Sequence, residues 1–210
     1  MMLEIKITDR FSGKWMEIDE QTNAIDYLRR TCLFLSETVD SKWKWVVIAL
    51  HGALYSFCIL AVQGTNPYDP PPGGSGTVTR KGSKEYLISF PEALRRVQAD
   101  NIVNPPVVLN DDQKKRFDLL NKILRNNFIH FTPKGQSIEI SGIPEILLDS
   151  IAVIEHIVCK ASSIFRLDAE SKSVIEGLIK DIRSKVEAMM TTHCSEEKGK
   201  LNSTRYRGDR

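Results

Sequence analysis

One short stretch of the chain, residues 125 to 130, contains the residue types that phosphodiester chemistry requires: Arg-Asn-Asn-Phe-Ile-His. Arginine is a permanent cation that binds phosphate oxygens through two parallel hydrogen bonds, and histidine titrates near neutral pH. Arg125 and His130 therefore suit the cleavage of a phosphodiester without a metal ion. The alternative is structural, because an arginine and a histidine near a helix end also bind free carbonyl groups and offset the helix dipole.

A helix from Asn110 to about residue 130 is predicted to carry this stretch. Asn110 precedes two acids and Gln113, which is a strong signal for a helix start. Arg125 lies opposite the apolar face, so it is predicted to point away from the core. In an ideal helix Arg125 and His130 stand about 140° apart around the axis, so the pair from one chain does not converge on one point. The apolar face consists of Phe117, Leu119, Leu120, Ile123, Leu124, Phe128 and Phe131.

The remaining pattern predicts an all-α protein, an up-and-down helical bundle that forms one domain over residues 21–190. Alternating polar and apolar residues within 1–20 predict a short N-terminal β-hairpin or extension. Prolines and glycines predict a loop at 64–88, and the loss of periodicity predicts a flexible basic tail at 191–210. Further helices are predicted at about 21–39, 42–63, 90–99 and 169–190, with another that begins after Ser141.

The run from Trp45 to Val62 has no Asp, Glu, Lys or Arg over eighteen residues, which is close to the length that spans a bilayer. It is interrupted by His51, Gly52, Tyr55 and Ser56. The other predicted helices are amphipathic, so they need a partner whose apolar surface extends all round. We therefore predict the central buried helix of a soluble bundle. The alternative is an unrelated bundle in which this segment docks against a membrane or a partner.

Composition gives weaker constraints. A net charge of +2 provides no overall field for a nucleic acid, so any anionic polymer must bind a local patch. Cys32, Cys58 and Cys159 lie within apolar helical patterns, while Cys194 lies in the predicted tail. That distribution predicts reduced thiols in a cytoplasmic protein. The N-terminus alternates and carries an early acid, so no signal peptide is expected.

Neither a metal nor a nucleotide cofactor is predicted. His156 and Cys159 are three residues apart, but no second pair has the spacing of metal ligands. Residues 76 to 83 read Gly-Thr-Val-Thr-Arg-Lys-Gly-Ser, which transposes the lysine and glycine of a P-loop. The backbone amides and the ammonium group of a phosphate cradle would then not converge, so a nucleoside triphosphatase is excluded.

The arginine, the polar residue directly after it and the histidine five positions on, set in a helical bundle, resemble the HEPN superfamily. Residues 125 to 130 fit that family's R-x4-6-H motif in the version where Asn follows Arg. The stretch also falls near the end of a late helix, where the family places it. The resemblance covers about residues 21–190 and implies an HEPN-like homodimer whose two motifs face each other across a cleft. Many such dimers are metal-independent endoribonucleases in toxin–antitoxin, CRISPR or antiphage systems.

On this resemblance, His130 acts as a general acid or base around the ribose 2'-hydroxyl and the leaving oxygen. Arg125 stabilises the charge on the pentacoordinate phosphorus. Asn126 orients the histidine or binds a phosphate oxygen. Lys122 and Lys134 flank the motif and are the predicted RNA contacts. The partner subunit supplies the half of the site that one chain cannot assemble.

One position departs from a toxin subgroup of the family, whose motif continues to R-x4-H-x-Y. Its tyrosine is modified by a nucleotidyltransferase antitoxin, whereas this chain has Thr132. The departure weakens assignment to that subgroup, although an antitoxin or regulatory partner is kept as an expectation. A second alternative is a non-catalytic HEPN-like binding or scaffold protein, in which Arg125 and His130 hold the dimer or a nucleotide.

Overall fold

The computed structural model describes residues 16, 18–63, 77–81, 84–129, 135, 137–160, 162–163 and 167–205. The described part is mostly helical, which confirms the predicted all-α class. The hairpin predicted within residues 1–20 falls almost wholly outside it. The elements follow in the order α1 (Glu20–Leu35), α2 (Lys42–Gln63), β1 (Val78–Lys81), β2 (Lys84–Leu87), α3 (Phe90–Arg96), β3 (Val103–Asn104), α4 (Asp111–Asp118), a π-helical segment (Leu119–Arg125), α5 (Asn126–Ile129), α6 (Ile143–Glu155), a π-helical turn (His156–Lys160), β4 (Ser162–Ser163) and α7 (Ala169–Arg205).

Helix α1 begins at a capping box and ends earlier than the sequence predicts. The Asp19 side chain accepts a hydrogen bond from the Thr22 amide at 2.6 Å, which satisfies a free donor of the first turn. The predicted end near residue 39 is wrong, because the helix stops at Leu35. Lys42 Nζ donates to the Leu35 carbonyl at 3.3 Å, and Lys185 Nζ donates to the Cys32 carbonyl at 3.0 Å. The last carbonyls are thus bound by lysines, and the chain turns towards α2.

Helix α2 is the centre of the bundle, and its predicted bounds are confirmed. It packs against α1, α3, α6 and the π-helical segment, which together cover most of its circumference. Among the described residues it is the one helix long and apolar enough to cross a membrane, but 72% of its most apolar stretch is buried inside the protein. Such burial is typical of a core helix and is compatible with a soluble protein.

The segment predicted as a Pro/Gly-rich loop at 64–88 contains a β-hairpin in its second half. Strands β1 and β2 pair antiparallel, with Val78 opposite Leu87. Thr77 and Ile88 are buried at the open end, where the Ile88 amide donates to the Thr77 carbonyl at 2.8 Å. The loop prediction is therefore wrong for residues 78–81 and 84–87, while residues 64–76 and 82–83 lie outside the described part. The consecutive β-branched residues Thr77, Val78 and Thr79 favour a strand even though prolines and glycines precede them.

The helix predicted from Asn110 begins where the sequence indicates. Gln113 donates its amide to the Asn110 side chain at 2.9 Å, and the Gln113 side chain accepts from the Asn110 amide at 3.1 Å. The middle of the helix is π-helical, with the wider i→i+5 turn. This turn changes the register of the apolar face: Leu120 and Leu124 are buried, whereas Leu119 and Ile123 are 38% and 50% exposed. The prediction that the last two widen the core face is wrong.

The C-terminal half packs α6 and α7 against the centre of the bundle. The helix predicted after Ser141 is confirmed as α6, which begins at Ile143 and passes into the π-helical turn. Helix α7 continues to Arg205, so the tail predicted from residue 191 is helical up to that residue. The loss of apolar periodicity there does not end the helix, since glutamate and lysine are good helix formers.

Candidate functional site

A cavity of about 440 Å³ lies between α1, α2, the β-hairpin and the end of the π-helical segment. Helix α2 supplies its floor, and the hairpin closes one side. The side chains that could contact a ligand include Asn23, Tyr27, His51, Tyr55, Gln63 and Arg125. The predicted catalytic arginine therefore lines a cavity.

Arg125 is half-buried and lines this open cavity outside the buried core, which is consistent with the prediction that it points away from the core. Its Nη1 donates to Asn126 Oδ1 at 2.9 Å, and Asn126 Nδ2 donates to the Lys122 carbonyl at 3.2 Å. No described carboxylate forms an ion pair with Arg125. Asn126 thus braces the guanidinium group, which retains most of its five N–H donors for a ligand.

His51 is the titratable group that the structure brings into the electrostatic range of Arg125. It is 8% exposed, and its Nε2 lies 3.0 Å from Asn121 Oδ1. Burial lowers the pKa of His51, the hydrogen bond to Asn121 opposes that shift, and the charge of Arg125 lowers the pKa further. His51 is therefore neutral at pH 7. With Nε2–H donating to Asn121, the lone pair resides on Nδ1, a tautomer assigned from the hydrogen-bond pattern.

The π-helical segment positions both His51's partner and the arginine. Asn121 and Arg125 are four residues apart in it, and Asn121 ties the segment to α2 through His51. π-helical turns occur often at functional sites, because they redirect side chains that an α-helix would leave elsewhere. The segment thus holds the arginine at the cavity while its apolar residues Leu120 and Leu124 remain in the core.

Two tyrosines shape the cavity. A Cβ atom at Gly52 would lie 2.7 Å from Cδ1 and 2.8 Å from Cε1 and Cγ of Tyr27, so only glycine lets this ring rest on α2. The Tyr55 hydroxyl donates to the Ile88 carbonyl, which joins α2 to the end of the hairpin. Burial raises the pKa of Tyr55 above its ordinary value. Tyr55 is therefore a neutral donor at pH 7.

Of the other predicted site residues, Lys122 and Asn126 belong to the described part of the chain, and neither lines the cavity. Lys122 is exposed, and its Nζ lies 2.9 Å from Asp118 Oδ2. His130 and Lys134 lie outside the described residues, so the Arg125 to His130 geometry is not defined. His156 Nε2 lies 2.7 Å from the Pro105 carbonyl. In the described part of the chain, no group of three His, Cys, Asp or Glu side chains is placed to hold a metal ion.

The sequence analysis did not identify His51, Asn121, Tyr27 or Tyr55 as site residues. The sequence does contain a signal for His51, because this polar side chain lies within an eighteen-residue run without charged residues. A buried imidazole requires a partner, and that requirement predicts a polar residue on a neighbouring element. It does not predict which one, since Asn121 lies 70 positions away.

No protein-family model, curated protein or solved structure matches this chain.

The lowered pKa of His51 predicts a specific pH dependence of stability. In the unfolded chain this histidine binds a proton at about pH 6.5, whereas in the folded chain it does so at a lower pH. As the pH falls from 7 to 5 the unfolded state takes up the proton first, so the free energy of unfolding decreases. The His51→Gln variant has no group at this position that takes up a proton on unfolding. Urea unfolding at pH 7, 6 and 5 should show a larger loss of stability in the wild type than in His51→Gln. Parallel losses would contradict the neutral, buried state of His51.

Proposed function

We propose that this chain is an HEPN-like, metal-independent endoribonuclease or RNA-binding protein that acts as a homodimer in the cytoplasm. A toxin or an antiphage defence component is the biological role that the resemblance favours. RNA is the proposed partner, together with an antitoxin or regulatory protein, and no membrane is involved.

The observation that carries this proposal is the state of Arg125. A guanidinium group that is half-buried, braced by Asn126 and unpaired with any described carboxylate is prepared to bind an external anion. An arginine that served only the fold would be expected to bind a carboxylate or backbone carbonyls. A phosphate of RNA matches its planar array of donors.

The proposed reaction is attack of the ribose 2'-hydroxyl on the adjacent phosphorus, with departure of the 5'-oxygen. His130 transfers the protons, and Arg125 stabilises the negative charge that builds on the phosphate oxygens. Asn126 orients the histidine or binds a phosphate oxygen, and its contact with Arg125 Nη1 supports a further role in holding the guanidinium group. Lys134 remains a predicted RNA contact. Lys122 is also a predicted RNA contact. Its ion pair with Asp118 is exposed and weak, so an RNA phosphate can replace the carboxylate.

A homodimer is supported by exposed apolar side chains beside the motif. Leu119, Ile123 and Ile129 are 38%, 50% and 43% exposed along the same helical rod as Arg125. A two-fold interface there would cover these side chains and bring two motifs together, which compensates for the angular offset within one chain. Such an interface should bury at least about 1,000 Å² in total.

The binding or scaffold alternative is favoured by one observation. His51, the histidine described near Arg125, has a lowered pKa and packs its ring 4.8 Å from that of Phe90. This histidine is held as a structural residue, and the cavity beside it has the features of a binding site. In this alternative Arg125 holds a nucleotide or the partner subunit without cleavage.

Incubation of end-labelled RNA with the full chain in EDTA tests the proposal. We expect cleavage that survives chelation and leaves a 2',3'-cyclic phosphate and a 5'-hydroxyl, because the 2'-hydroxyl is the nucleophile. Light scattering over a dilution series should report a dimer under the same conditions. RNA binding without cleavage would assign the scaffold alternative. A chain that neither binds nor cleaves RNA would refute both forms of the proposal.

A further inference from the structure

The cavity beside Arg125 contains polar groups whose hydrogen-bonding capacity is not used by the described residues. Arg125 donates one N–H to the Asn126 side chain, and His51 Nδ1 has no described hydrogen-bond partner. The side chains of Asn23, Ser56 and Gln63 line the same space without a hydrogen bond to a described residue. Polar groups in such a recess are satisfied by water or by a ligand. Its described lining thus offers one cation, one imidazole acceptor and several amide and hydroxyl groups.

The shape of the cavity favours a planar ligand. Three ring carbons of Tyr27 would lie at nearly equal distances, 2.7 to 2.8 Å, from a Cβ at Gly52, so that position stands over the face of the ring. One face of Tyr27 is therefore held against α2, which fixes the plane of the ring. A volume of about 440 Å³ exceeds what one side chain fills and lies in the range of small-molecule sites. An aromatic ring fixed at such a cavity is a stacking surface for a nucleobase.

The charges at the cavity limit the number of phosphates. Within the part of the chain that the structure describes, Arg125 is the cation that lines it, and Glu20 at the start of α1 is a carboxylate on the same lining. A chain of phosphates would bring further negative charge towards Glu20. A single phosphate bound at Arg125 avoids that repulsion, while Glu20 can accept a hydrogen bond from a base amino group.

We propose that this cavity binds one nucleotide unit of RNA, with the base against Tyr27 and the phosphate on Arg125. The assignment of the phosphate to Arg125 rests on the proposed function. Asn23, Gln63 and His51 contact the edge of the base, which is unstacked from its neighbours in the RNA. The site thus selects single-stranded RNA, because a paired base cannot enter it.

Titration of the full chain with the four ribonucleoside 5'-monophosphates, followed by calorimetry, tests this inference. We expect saturable binding of one nucleotide per chain and weaker binding of the matching nucleosides and of inorganic phosphate. Gly52→Ala inserts a Cβ into the Tyr27 ring and should weaken binding at least about fivefold, the scale of a lost stacking contact. Gly177→Ala is the matched control, because its added Cβ meets nothing within 4 Å. It should leave affinity unchanged.

A second variant covers the case in which Gly52→Ala fails to fold. Gln63→Ala removes a cavity side chain that has no described hydrogen bond, and it should weaken binding about threefold with an unchanged melting curve. Equal affinity for inorganic phosphate and nucleotide would overturn the base site. So would unchanged affinity in both Gly52→Ala and Gln63→Ala, or no binding by the wild type. Arg125-dependent cleavage of RNA together with any of these results would leave the proposed function standing and refute only the base site.

Discussion

Replacement of Arg125 by alanine is expected to lower the rate of RNA cleavage at least about a hundredfold, the scale of a lost charge-stabilising group. The side chain lies at the cavity and makes its one described side-chain hydrogen bond to the neighbouring Asn126, so its removal leaves the core intact. His130→Ala should cause a loss of similar size, because it removes the proposed proton-transfer group. Single-turnover cleavage of end-labelled RNA in EDTA measures both effects. Far-UV circular dichroism and melting curves establish that each variant is folded.

The matched control is Lys115→Ala. Lys115 is 76% exposed on α4 and pairs with Asp112 at 3.1 Å, so this change removes one positive charge without altering the cavity. Its cleavage rate should equal that of the wild type. Mixing Arg125→Ala with His130→Ala chains adds a test of the dimer, since a heterodimer retains one arginine and one histidine across the cleft. Partial recovery of activity supports the composite site. Full activity of either variant alone would refute the catalytic assignment.

The Phe57→Ala variant is expected to lose about 3–5 kcal/mol of unfolding free energy. Phe57 is completely buried at the centre of α2, where neighbouring helices surround it, so truncation leaves a void that the bundle cannot fill. Urea denaturation followed by circular dichroism measures the change. The Val108→Ala control truncates an apolar side chain that is 84% exposed, and it should change stability by less than about 0.5 kcal/mol. A loss below about 1 kcal/mol in Phe57→Ala would show that α2 is not a core helix.

The sequence predicts the helices of this fold well where an apolar stripe and a cap coincide. Helix α2 and the start at Asn110 are confirmed, because an apolar run and a capping box are local signals. The end of α1 was not predicted, and one of the contacts there comes from Lys185, which lies 153 positions away from Cys32. The β-hairpin was not predicted, because the loop indicated by the prolines and glycines of residues 64–76 was extended over the strands that follow.

The candidate site could be predicted only in part. The sequence predicts Arg125 as a phosphate-binding side chain that points away from the core, and the structure places it at a cavity. The cavity itself could not be predicted, because a helical wheel assumes 3.6 residues per turn and the segment is π-helical. The His51 to Asn121 contact joins elements far apart in sequence, and neither residue carries a motif. The role of His130 stays a prediction.

Ligand binding in the cavity can be detected through the stability of the protein, without knowledge of the reaction. Its lining comes from four separate parts of the chain, which include Tyr27, His51, Leu87 and Arg125, so it exists only in the folded protein. A compound that occupies it binds the folded state and not the unfolded chain, and therefore raises the melting temperature by mass action. At a ligand concentration one hundred times Kd the gain is about 2.7 kcal/mol. Thermal shift of the unlabelled protein can thus rank nucleotides, short RNAs and unrelated compounds on a single scale.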